Sequence, residues 1–346
     1  MRVEKRNYLS KIQQRNKHVQ IRSDTQLKLR HESVMVTGAA GFIGSNLVER
    51  LLELNNFVVA YDNFDEFYEG KEKNTERYLA NADFKLYKSD ILDFEQLTIA
   101  MRDVNVVFHL AAQPGVRFSA KNPWKTNTTN VEGTLNVLLA AVRNNVKKVV
   151  FASSSSVYGS PKHLPCSENH PTLPISVYGA SKLAAENYCL TFFRNFGLPV
   201  VILRYHTVYG PRQRPDMAIY KFTKAILQGQ PPIVFGDGAQ TRDFTYVSDV
   251  VDGTILAAES QDDKGEVFNI GSGSRIAIND VIRLFAETLG EDHVPPTIYQ
   301  ARKPDDVLHT HADIRKAADM LGYRPKTSIE KGLGSFVKWF KAFSAN

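Results

Sequence analysis

The sequence predicts an α/β protein with a doubly wound parallel sheet and a smaller C-terminal domain. Short, continuous apolar runs alternate with segments of helical period from residue 33 to about residue 204. Such runs are typical of parallel strands that helices cover on both faces. After Arg204, loops rich in Gly and Pro separate single helices. A chain of 346 residues has room for about two domains, which agrees with this change of pattern.

The predicted elements follow one another in a regular order. Strands are predicted at residues 34–36, 57–61, 104–110, 146–153 and 198–204. Helices are predicted between and after them at residues 134–142, 181–196, 217–228, 279–289 and 329–343. We expect the later segments to close over the carboxyl edge of the sheet, where open α/β sheets bind their ligands.

Composition argues against several classes of protein. Apolar residues make up 43% of the chain and charged residues 23%, as in ordinary globular proteins. No apolar run approaches the roughly 18 residues that a membrane span needs. Cys166 and Cys189 lack the spacing of a metal site and are too few for a disulfide framework. We therefore expect no metal, no membrane partner and a reducing, cytoplasmic setting.

The formal net charge of +6 is concentrated near the N-terminus. The first 33 residues hold nine Lys and Arg against three Asp and Glu, and the rest of the chain is balanced. Nucleic acid is therefore an unlikely partner of the folded body. We predict that residues 1–32 form a basic, solvated and mobile extension, with a transit peptide or a polyanion-binding arm as the alternative.

A glycine motif lies between the first predicted strand and the first helix. Gly38, Gly41 and Gly44 let the backbone turn tightly and approach a pyrophosphate at the helix N-terminus. Alone, such a triplet also suits a structural turn. Asp62 ends the second predicted strand, where a carboxylate accepts hydrogen bonds from the adenine ribose and repels a 2′-phosphate. Together they predict a Rossmann-type site for NAD rather than NADP.

A second group of residues carries acid–base chemistry. Tyr178 and Lys182 are four residues apart and so share one face of a helix. A nearby ammonium lowers the pKa of a tyrosine, as a tyrosine general base requires near neutral pH. Four consecutive serines, residues 153–156, end a predicted buried strand. One of them is well placed to polarise a substrate oxygen. Beside a nicotinamide, these groups suit the oxidation of a secondary alcohol.

The order of these motifs resembles that of the extended short-chain dehydrogenases/reductases, and more narrowly the nucleotide-sugar 4-epimerases. The resemblance covers residues 33 to about 343. It rests on the glycine loop, Asp62-Asn63, residues 109–113, Asn130 to Thr134, the serine run, Tyr178 to Lys182, and Arg204 to Pro211.

The resemblance implies a role for each catalytic residue. Tyr178 is expected to take the proton from the sugar 4-hydroxyl while hydride leaves C4 for NAD. Lys182 is expected to bind the nicotinamide ribose and lower the pKa of Tyr178, and Ser154 to hydrogen-bond O4. The expected cofactor residues are Gly38, Gly41, Phe42, Ile43, Gly44, Asp62, Asn63, Asp90, Ile91, Leu110, Ala111, Ala112, Gln113, Asn130, Tyr178 and Lys182.

The substrate residues depart from the commonest pattern. Related dehydratases and decarboxylases carry carboxylates just after the catalytic Ser or Thr, and here those positions are Ser155 and Ser156. Many 4-epimerases have Phe-Asn where this chain has His206-Thr207. The serine run, Thr207 and Arg214 resemble the corresponding motifs of UDP-glucuronate 4-epimerases. The substrate of those enzymes has a carboxylate at C6, which hydroxyls and a guanidinium can bind. UDP-glucuronate is therefore expected. Interconversion of UDP-glucose and UDP-galactose, a UDP-N-acetylglucosamine 4-epimerase, a dehydratase or decarboxylase, and a non-catalytic NAD-binding protein are the alternatives.

The resemblance also implies the remaining substrate contacts and the assembly. Lys303 stands where the family has arginine, so either Arg302 or Lys303 contacts the diphosphate. The expected substrate residues are Arg117, Ser155, Ser156, Thr207, Arg214, Arg242, Arg302, Lys303 and Asp306. Residues 33–204 with about 243–272 are expected to bind NAD, and residues 205–242 with 273–346 to bind the UDP-sugar. A homodimer is expected.

Overall fold

The computed structural model describes residues 28–261, 265–289, 294–303 and 306–344. Its strands are β1 (Ser33–Thr37), β2 (Phe57–Asp62), β3 (Phe84–Lys88), β4 (Val106–His109), β5 (Lys148–Ser154), β6 (Val200–Tyr205), β7 (Thr207–Tyr209), β8 (Ile233–Phe235), β9 (Thr241–Arg242), β10 (Phe244–Tyr246), β11 (Val267–Ile270), β12 (Ile276–Ala277) and β13 (Ile298–Gln300). All five predicted strands are present.

The helices cover both faces of the sheet and build the C-terminal part. They are α1 (Phe42–Glu53), α2 (Lys71–Glu76), α3 (Phe94–Ala100), α4 (Val116–Lys121), α5 (Pro123–Asn127), α6 (Gly133–Arg143), α7 (Val177–Phe196), α8 (Ala218–Leu227), α9 (Val247–Glu259), α10 (Ile278–Leu289), α11 (Arg315–Leu321) and α12 (Ile329–Ser344). A π-helical turn, Thr128–Glu132, joins α5 to α6, and a 3₁₀ turn, Ser155–Tyr158, follows β5. In the described ranges no helix is long and apolar enough to cross a membrane.

Seven of the described strands form one parallel sheet in the order β3-β2-β1-β4-β5-β6-β11. The order reverses between β1 and β4, which opens a crevice at the carboxyl ends of these strands. The two apolar layers on the faces of the sheet are separate clusters of buried side chains. The predicted fold class, a doubly wound α/β sheet, is therefore confirmed.

Two strands of this sheet were absent from the prediction. β3 is an edge strand, and its lysines leave it without a continuous apolar run. β11 has only four residues and pairs with β6 over a long sequence separation. A third apolar cluster lies in the C-terminal part, where α8, α10 and α12 pack around Phe285 and Phe336. The exact limits of the two domains stay a prediction.

The end of the predicted extension is attached to the body. Residues 1–27 lie outside the described residues, but Leu29 is buried in the core and its backbone N–H donates to Glu259 Oε1 at 2.7 Å. The Asn56 side chain donates to Leu29 O at 3.0 Å and accepts from the backbone N–H of Glu32 at 3.1 Å. Residues 28–32 are thus ordered, because their backbone groups are used in long-range hydrogen bonds.

Candidate functional site

The glycine loop makes close backbone contacts at the carboxyl end of β1. Gly38 has a φ of 71°, and a Cβ on it would lie 2.7 Å from the backbone N of Ala111. A Cβ on Gly44 would lie 2.0 Å from Gly38 O. Helix α1 then begins at Phe42 with no side-chain cap and no acidic residue in its first turn. Its first N–H groups are therefore available to an anion, as a pyrophosphate site requires.

A cavity of about 440 Å³ lies over this loop. Fifteen of the sixteen expected cofactor residues line it: Gly38, Gly41, Phe42, Ile43, Gly44, Asp62, Asn63, Asp90, Ile91, Leu110, Ala111, Ala112, Gln113, Tyr178 and Lys182. The sixteenth, Asn130, lies behind the lining. It accepts from Gln113 N at 2.7 Å and donates to Gln113 O at 3.2 Å and to Ser181 Oγ at 2.9 Å, so it holds the backbone of Gln113 in place.

Asp62 connects the glycine loop to the second strand. Its carboxylate accepts from the backbone N–H groups of Ala40 at 2.9 Å and Phe64 at 2.8 Å. Burial raises the pKa of Asp62, while these two hydrogen bonds and the nearby Lys71 lower it. Asn63 donates to Asp90 Oδ2 at 2.7 Å. The Asp62 carboxylate is thus held in place at the wall of the cavity, where it can accept hydrogen bonds from ribose hydroxyls.

The residues around this cavity fit a dinucleotide. The uncapped helix end suits a diphosphate, the Asp62 carboxylate suits a ribose, and Ile91 and Leu110 supply apolar walls. Gln113 Nε2 is buried and has no hydrogen-bond partner in the described structure, which leaves it a donor for a ligand. NAD therefore fits the residues that are present.

Several residues of this cavity carried no sequence signal. Tyr68, Lys71, Trp124 and Lys125 line it, and the buried hydroxyl of Tyr68 has no hydrogen-bond partner. They lie in loops and short helices beyond the recognisable motifs. A Tyr or Lys in such a segment is ordinarily a surface residue, and only the fold brings these four to the cofactor edge.

Tyr178 and Lys182 lie one turn apart at the start of α7 and line the same cavity. The helix begins where Ser176 Oγ accepts from Gly179 N, and Tyr178 N donates to Ser119 Oγ, both at 3.0 Å. Lys182 is only 3% exposed, and its Nζ lies 4.5 Å from the centre of the Phe151 ring. Burial lowers the pKa of Lys182 to about 8.

Arg214 contributes to the electrostatic environment of Tyr178. Burial raises the pKa of Tyr178, and the two groups that oppose this rise are the Arg214 guanidinium and a hydrogen bond with Ser154. The Arg214 guanidinium is therefore a cation that favours the Tyr178 phenolate. The effect of Lys182 on the pKa of Tyr178 stays a prediction.

The four serines have separate environments. Ser153 donates to Glu186 Oε1 at 2.5 Å, and Glu186 pairs with Arg204 at 2.7 Å, both deep in the core. Ser154 Oγ accepts from Ser156 N at 3.2 Å and so caps the 3₁₀ turn. Ser155 and Ser156 line a second cavity of about 160 Å³. Ser153 is thus bound to the core and also lines the first cavity beside Tyr178, whereas Ser154 lowers the pKa of Tyr178.

The expected substrate residues fall into two groups. Arg214 lines the first cavity beside Tyr178 and pairs with Asp216 through two contacts, at 2.9 and 3.2 Å. Thr207 lines both the second cavity and a third one of about 750 Å³. Arg242 and Asp306 also line these two cavities, and Arg117 lines the third.

Arg302 and Lys303 are near this groove, but neither lines the three cavities. Arg302 donates to Asp306 O at 2.8 Å. Lys303 Nζ and the Arg117 guanidinium lie 4.9 and 5.0 Å from the centre of the Phe235 ring, and Arg117 pairs with Asp306 at 3.3 Å. Phe235 was not predicted, since an isolated Phe in a loop region carries no signal. Which of the two cations meets a phosphate stays a prediction.

No group of His, Cys, Asp and Glu in the described part of the chain is arranged to hold a metal ion. Cys166 and Cys189 are both free and buried. His109, interpreted from the sequence as structural, is fully enclosed, with Nδ1 2.8 Å from Thr37 Oγ1 and Nε2 2.9 Å from Thr134 Oγ1. Burial lowers its pKa to about 3, so it remains a neutral bridge between β1, β4 and α6.

Comparison with known proteins gives concordant results. A family model described as the NAD dependent epimerase/dehydratase family matches residues 34–271. A UDP-glucuronate 4-epimerase from Thermodesulfobacterium geofontis is 38% identical over 312 residues, covering 89% of this chain and 95% of that protein.

Two solved structures are similar over nearly the whole chain. A UDP-glucuronic acid 4-epimerase from Bacillus cereus, in complex with UDP-glucuronic acid and NAD, is 39% identical with a TM-score of 0.84, covering 90% of this chain and 99% of that one. A UDP-N-acetylglucosamine 4-epimerase from Methanobrevibacter ruminantium M1 is 36% identical with the same TM-score, covering 91% of this chain and 100% of that one.

Proposed function

The chain belongs to the NAD dependent epimerase/dehydratase family, and from that premise we propose that it is an NAD-dependent UDP-sugar 4-epimerase. The substrate we propose is UDP-glucuronate, with UDP-galacturonate as the product. The observation that carries this proposal is the arrangement of Tyr178, Lys182 and Arg214 around one cavity whose other residues fit NAD. The serines at positions 155 and 156, in place of carboxylates, favour epimerisation over elimination or decarboxylation.

Tyr178 is the proposed general base and acid. When bound, NAD would supply a hydride acceptor for C4 of the sugar. The Tyr178 phenolate accepts the proton of the 4-hydroxyl and so becomes a hydroxyl, which later gives that proton back; Arg214 and Ser154 favour the phenolate. Lys182, with a pKa of about 8, holds or releases a proton at Nζ close to neutral pH. Lys182 is buried, so bulk water has little access to its Nζ.

A hydroxyl-rich subsite supports glucuronate as the sugar. Ser155, Ser156 and Thr207 line one small cavity, and Ser154, which lowers the pKa of Tyr178, directly precedes Ser155 in the chain. Hydroxyls donate to a carboxylate without adding charge, and the Arg214 guanidinium near Tyr178 offers a counter-ion. Arg214 is already paired with Asp216, which reduces the charge available to a ligand. That pairing favours UDP-glucose as the second candidate, since its C6 hydroxyl is neutral.

The UDP moiety is proposed to lie in the third cavity. Arg117 and Arg242 bring positive charge to its wall, and burial lowers the pKa of Arg242, which Asp306 raises. Asp306 offers a carboxylate to ribose hydroxyls, and the Phe235 ring offers an apolar surface. Two arginines and an aspartate around one groove suit a nucleoside diphosphate.

A homodimer is the proposed assembly, and the predicted cytoplasmic location is retained as a proposal. Leu139 on α6 is 41% exposed and Tyr188 on α7 is 39% exposed, although both are large and apolar. The family resemblance implies that these two helices pair with their counterparts in a second copy. An exposed apolar strip on adjacent helices supports that proposal.

A product assay tests the function. The purified protein is incubated with UDP-glucuronate, UDP-glucose or UDP-N-acetylglucosamine, without added reductant, and the 4-epimers are separated by chromatography. We expect conversion of UDP-glucuronate and a loss of at least about a hundredfold in rate for Tyr178→Phe. Conversion of another UDP-sugar instead would support the epimerase activity but refute the proposal that the site selects a carboxylate at C6. If no sugar is converted, the catalytic proposal fails and an NAD-binding role replaces it.

A further inference from the structure

His206 lies between β6 and β7 and lines the second cavity together with Ser155, Ser156 and Thr207. It is only 3% exposed. Neither of its ring nitrogens has a hydrogen-bond partner in the described structure. Buried polar groups are almost always paired, because an unpaired one loses its hydration without compensation. Such an imidazole at a cavity wall is therefore a group prepared for a ligand.

The polar neighbours of His206 are engaged elsewhere. Asn269 Oδ1 accepts from Tyr158 at 2.7 Å, and its Nδ2 donates to Cys166 O at 2.9 Å. The Asp243 carboxylate accepts from Ser272 N and Oγ, both at 2.7 Å, and from Ala312 N at 3.0 Å. Asn269 and Asp243 thus have other partners, and neither makes a hydrogen bond of good geometry with a ring nitrogen of His206 in the described structure.

The imidazole of His206 is suited to donate a hydrogen bond in its neutral form. Burial holds the pKa of His206 below its ordinary value, although the Asp243 carboxylate raises it. A neutral imidazole carries one N–H donor and one acceptor nitrogen. The adjacent walls add the hydroxyls of Ser155, Ser156 and Thr207. These groups together can donate several hydrogen bonds and bring no net charge of their own.

We propose that His206 is a specificity-determining residue, whose imidazole N–H donates to the carboxylate at C6 of the bound UDP-sugar beside Ser155, Ser156 and Thr207. This inference rests on the proposed function and names the fourth donor of its C6 subsite. The family resemblance places Phe-Asn in many 4-epimerases where this chain has His206-Thr207. A phenylalanine there offers no hydrogen bond, whereas a histidine satisfies an acidic C6 group at the same place.

Ligand binding to three variants tests the proposal. His206→Phe removes both ring nitrogens and keeps an aromatic side chain that related enzymes accept at this position. His206→Gln retains a donor. His163→Phe makes the same chemical change at an exposed position outside the cavities. Calorimetry on the NAD-loaded proteins gives the dissociation constants of UDP-glucuronate and UDP-glucose, and their ratio isolates the C6 group.

The preference for UDP-glucuronate is expected to fall by about tenfold or more in His206→Phe, the effect of losing one hydrogen bond to a charged group. We expect His206→Gln to recover part of it and His163→Phe to leave it unchanged. An unchanged ratio in folded His206→Phe would overturn the proposal, as would an equal fall in His163→Phe. If circular dichroism shows that His206→Phe does not fold, His206→Leu takes its place with the same expectation.

The two proposals fail separately. Binding ratios do not depend on turnover, so an inactive wild-type protein would refute the epimerase function and leave the ratio to decide the role of His206. If the wild-type protein epimerises UDP-glucuronate and the His206→Phe variant retains the same preference for it, the proposed function stands and this inference is refuted.

Discussion

Tyr178 and Lys182 have opposite responses to the same burial. Removing water disfavours the charged form of each side chain, so the pKa of the tyrosine rises and that of the lysine falls to about 8. The phenolate then depends on Arg214 and Ser154 for stabilisation. A buried ammonium next to a nicotinamide site is costly to the empty protein, and that cost predicts a measurable effect on stability.

Lys182→Met is expected to stabilise the cofactor-free protein at pH 7 by up to about 3 kcal/mol while abolishing epimerisation. The folded-state pKa of about 8 lies below the ordinary lysine pKa of 10.5, so the folded protein carries the penalty below pH 8. Stability therefore rises as pH passes from 8 towards 10.5. Urea unfolding at pH 7 and pH 10 measures this. A gain at pH 7 that persists undiminished at pH 10 would contradict the electrostatic explanation.

At the level of elements, a buried ion pair joins the catalytic helix to the sheet. Glu186 on α7 accepts from Arg204 Nε at 3.0 Å and Nη2 at 2.7 Å, and from Ser153 on β5. Arg204 also donates to Tyr158 at 3.0 Å and to Glu168 O at 3.2 Å. Because these contacts link α7, β5, β6 and the 3₁₀ turn, they set the position of Tyr178 relative to Ser154.

Glu186→Ala is expected to lower the free energy of unfolding by about 3–5 kcal/mol, since it leaves the Arg204 charge buried and unpaired. Chemical denaturation measures the loss. The double variant Glu186→Leu, Arg204→Met is the matched control, because it removes both charges and keeps the volume. A double variant as unstable as Glu186→Ala would indicate that the loss comes from packing rather than from the uncompensated charge.

The contact between the glycine loop and α1 gives a second prediction at this scale. Gly44→Ala is expected to cost about 1–3 kcal/mol of stability and to reduce NAD retention, because the new Cβ meets Gly38 O. Gly334→Ala in α12 is the control, since a Cβ there meets nothing within 4 Å. That control is expected to gain about 0.5–1 kcal/mol. NAD released from purified protein and thermal unfolding measure both; full NAD retention in Gly44→Ala would refute the close-approach role.

Across the whole molecule, the substrate groove is formed by segments far apart in the chain. Arg117 of α4 pairs with Asp306, and Arg214 reaches Tyr178 from a loop after β7. The net charge of the chain has its main source near the N-terminus, so the groove obtains its positive charge from a few arginines rather than from the overall balance. One exposed apolar feature of the described surface is the strip on α6 and α7 that contains Leu139 and Tyr188.

Leu139→Glu is expected to convert a dimer into a monomer, because it places a charge in the proposed helix-to-helix contact. Sedimentation velocity measures the mass. Met320→Glu is the matched control, since Met320 is apolar and 39% exposed but lies on α11 in the C-terminal part. A monomeric wild-type protein would refute the assembly.

The linear pattern was sufficient for the fold class, the five predicted strands, the choice of NAD as cofactor and the placement of Tyr178 and Lys182 one turn apart on one helix. Each of these depends on contacts between near neighbours in the chain, such as the i, i+4 spacing or a strand followed by a glycine turn. Asp62 at the end of β2 is the same kind of inference, and its carboxylate does meet the glycine loop at Ala40.

Tertiary structure alone decided which charges and polar groups meet. Arg214 approaches Tyr178 and favours its phenolate, Leu29 is part of the core, and neither ring nitrogen of His206 has a hydrogen-bond partner in the described structure. The physical reason is that burial, and contact between residues far apart in the sequence, determine the direction of a pKa shift and the hydrogen-bond partner of a side chain. Neither is encoded in a local pattern, because it is the packing of distant segments that removes the water.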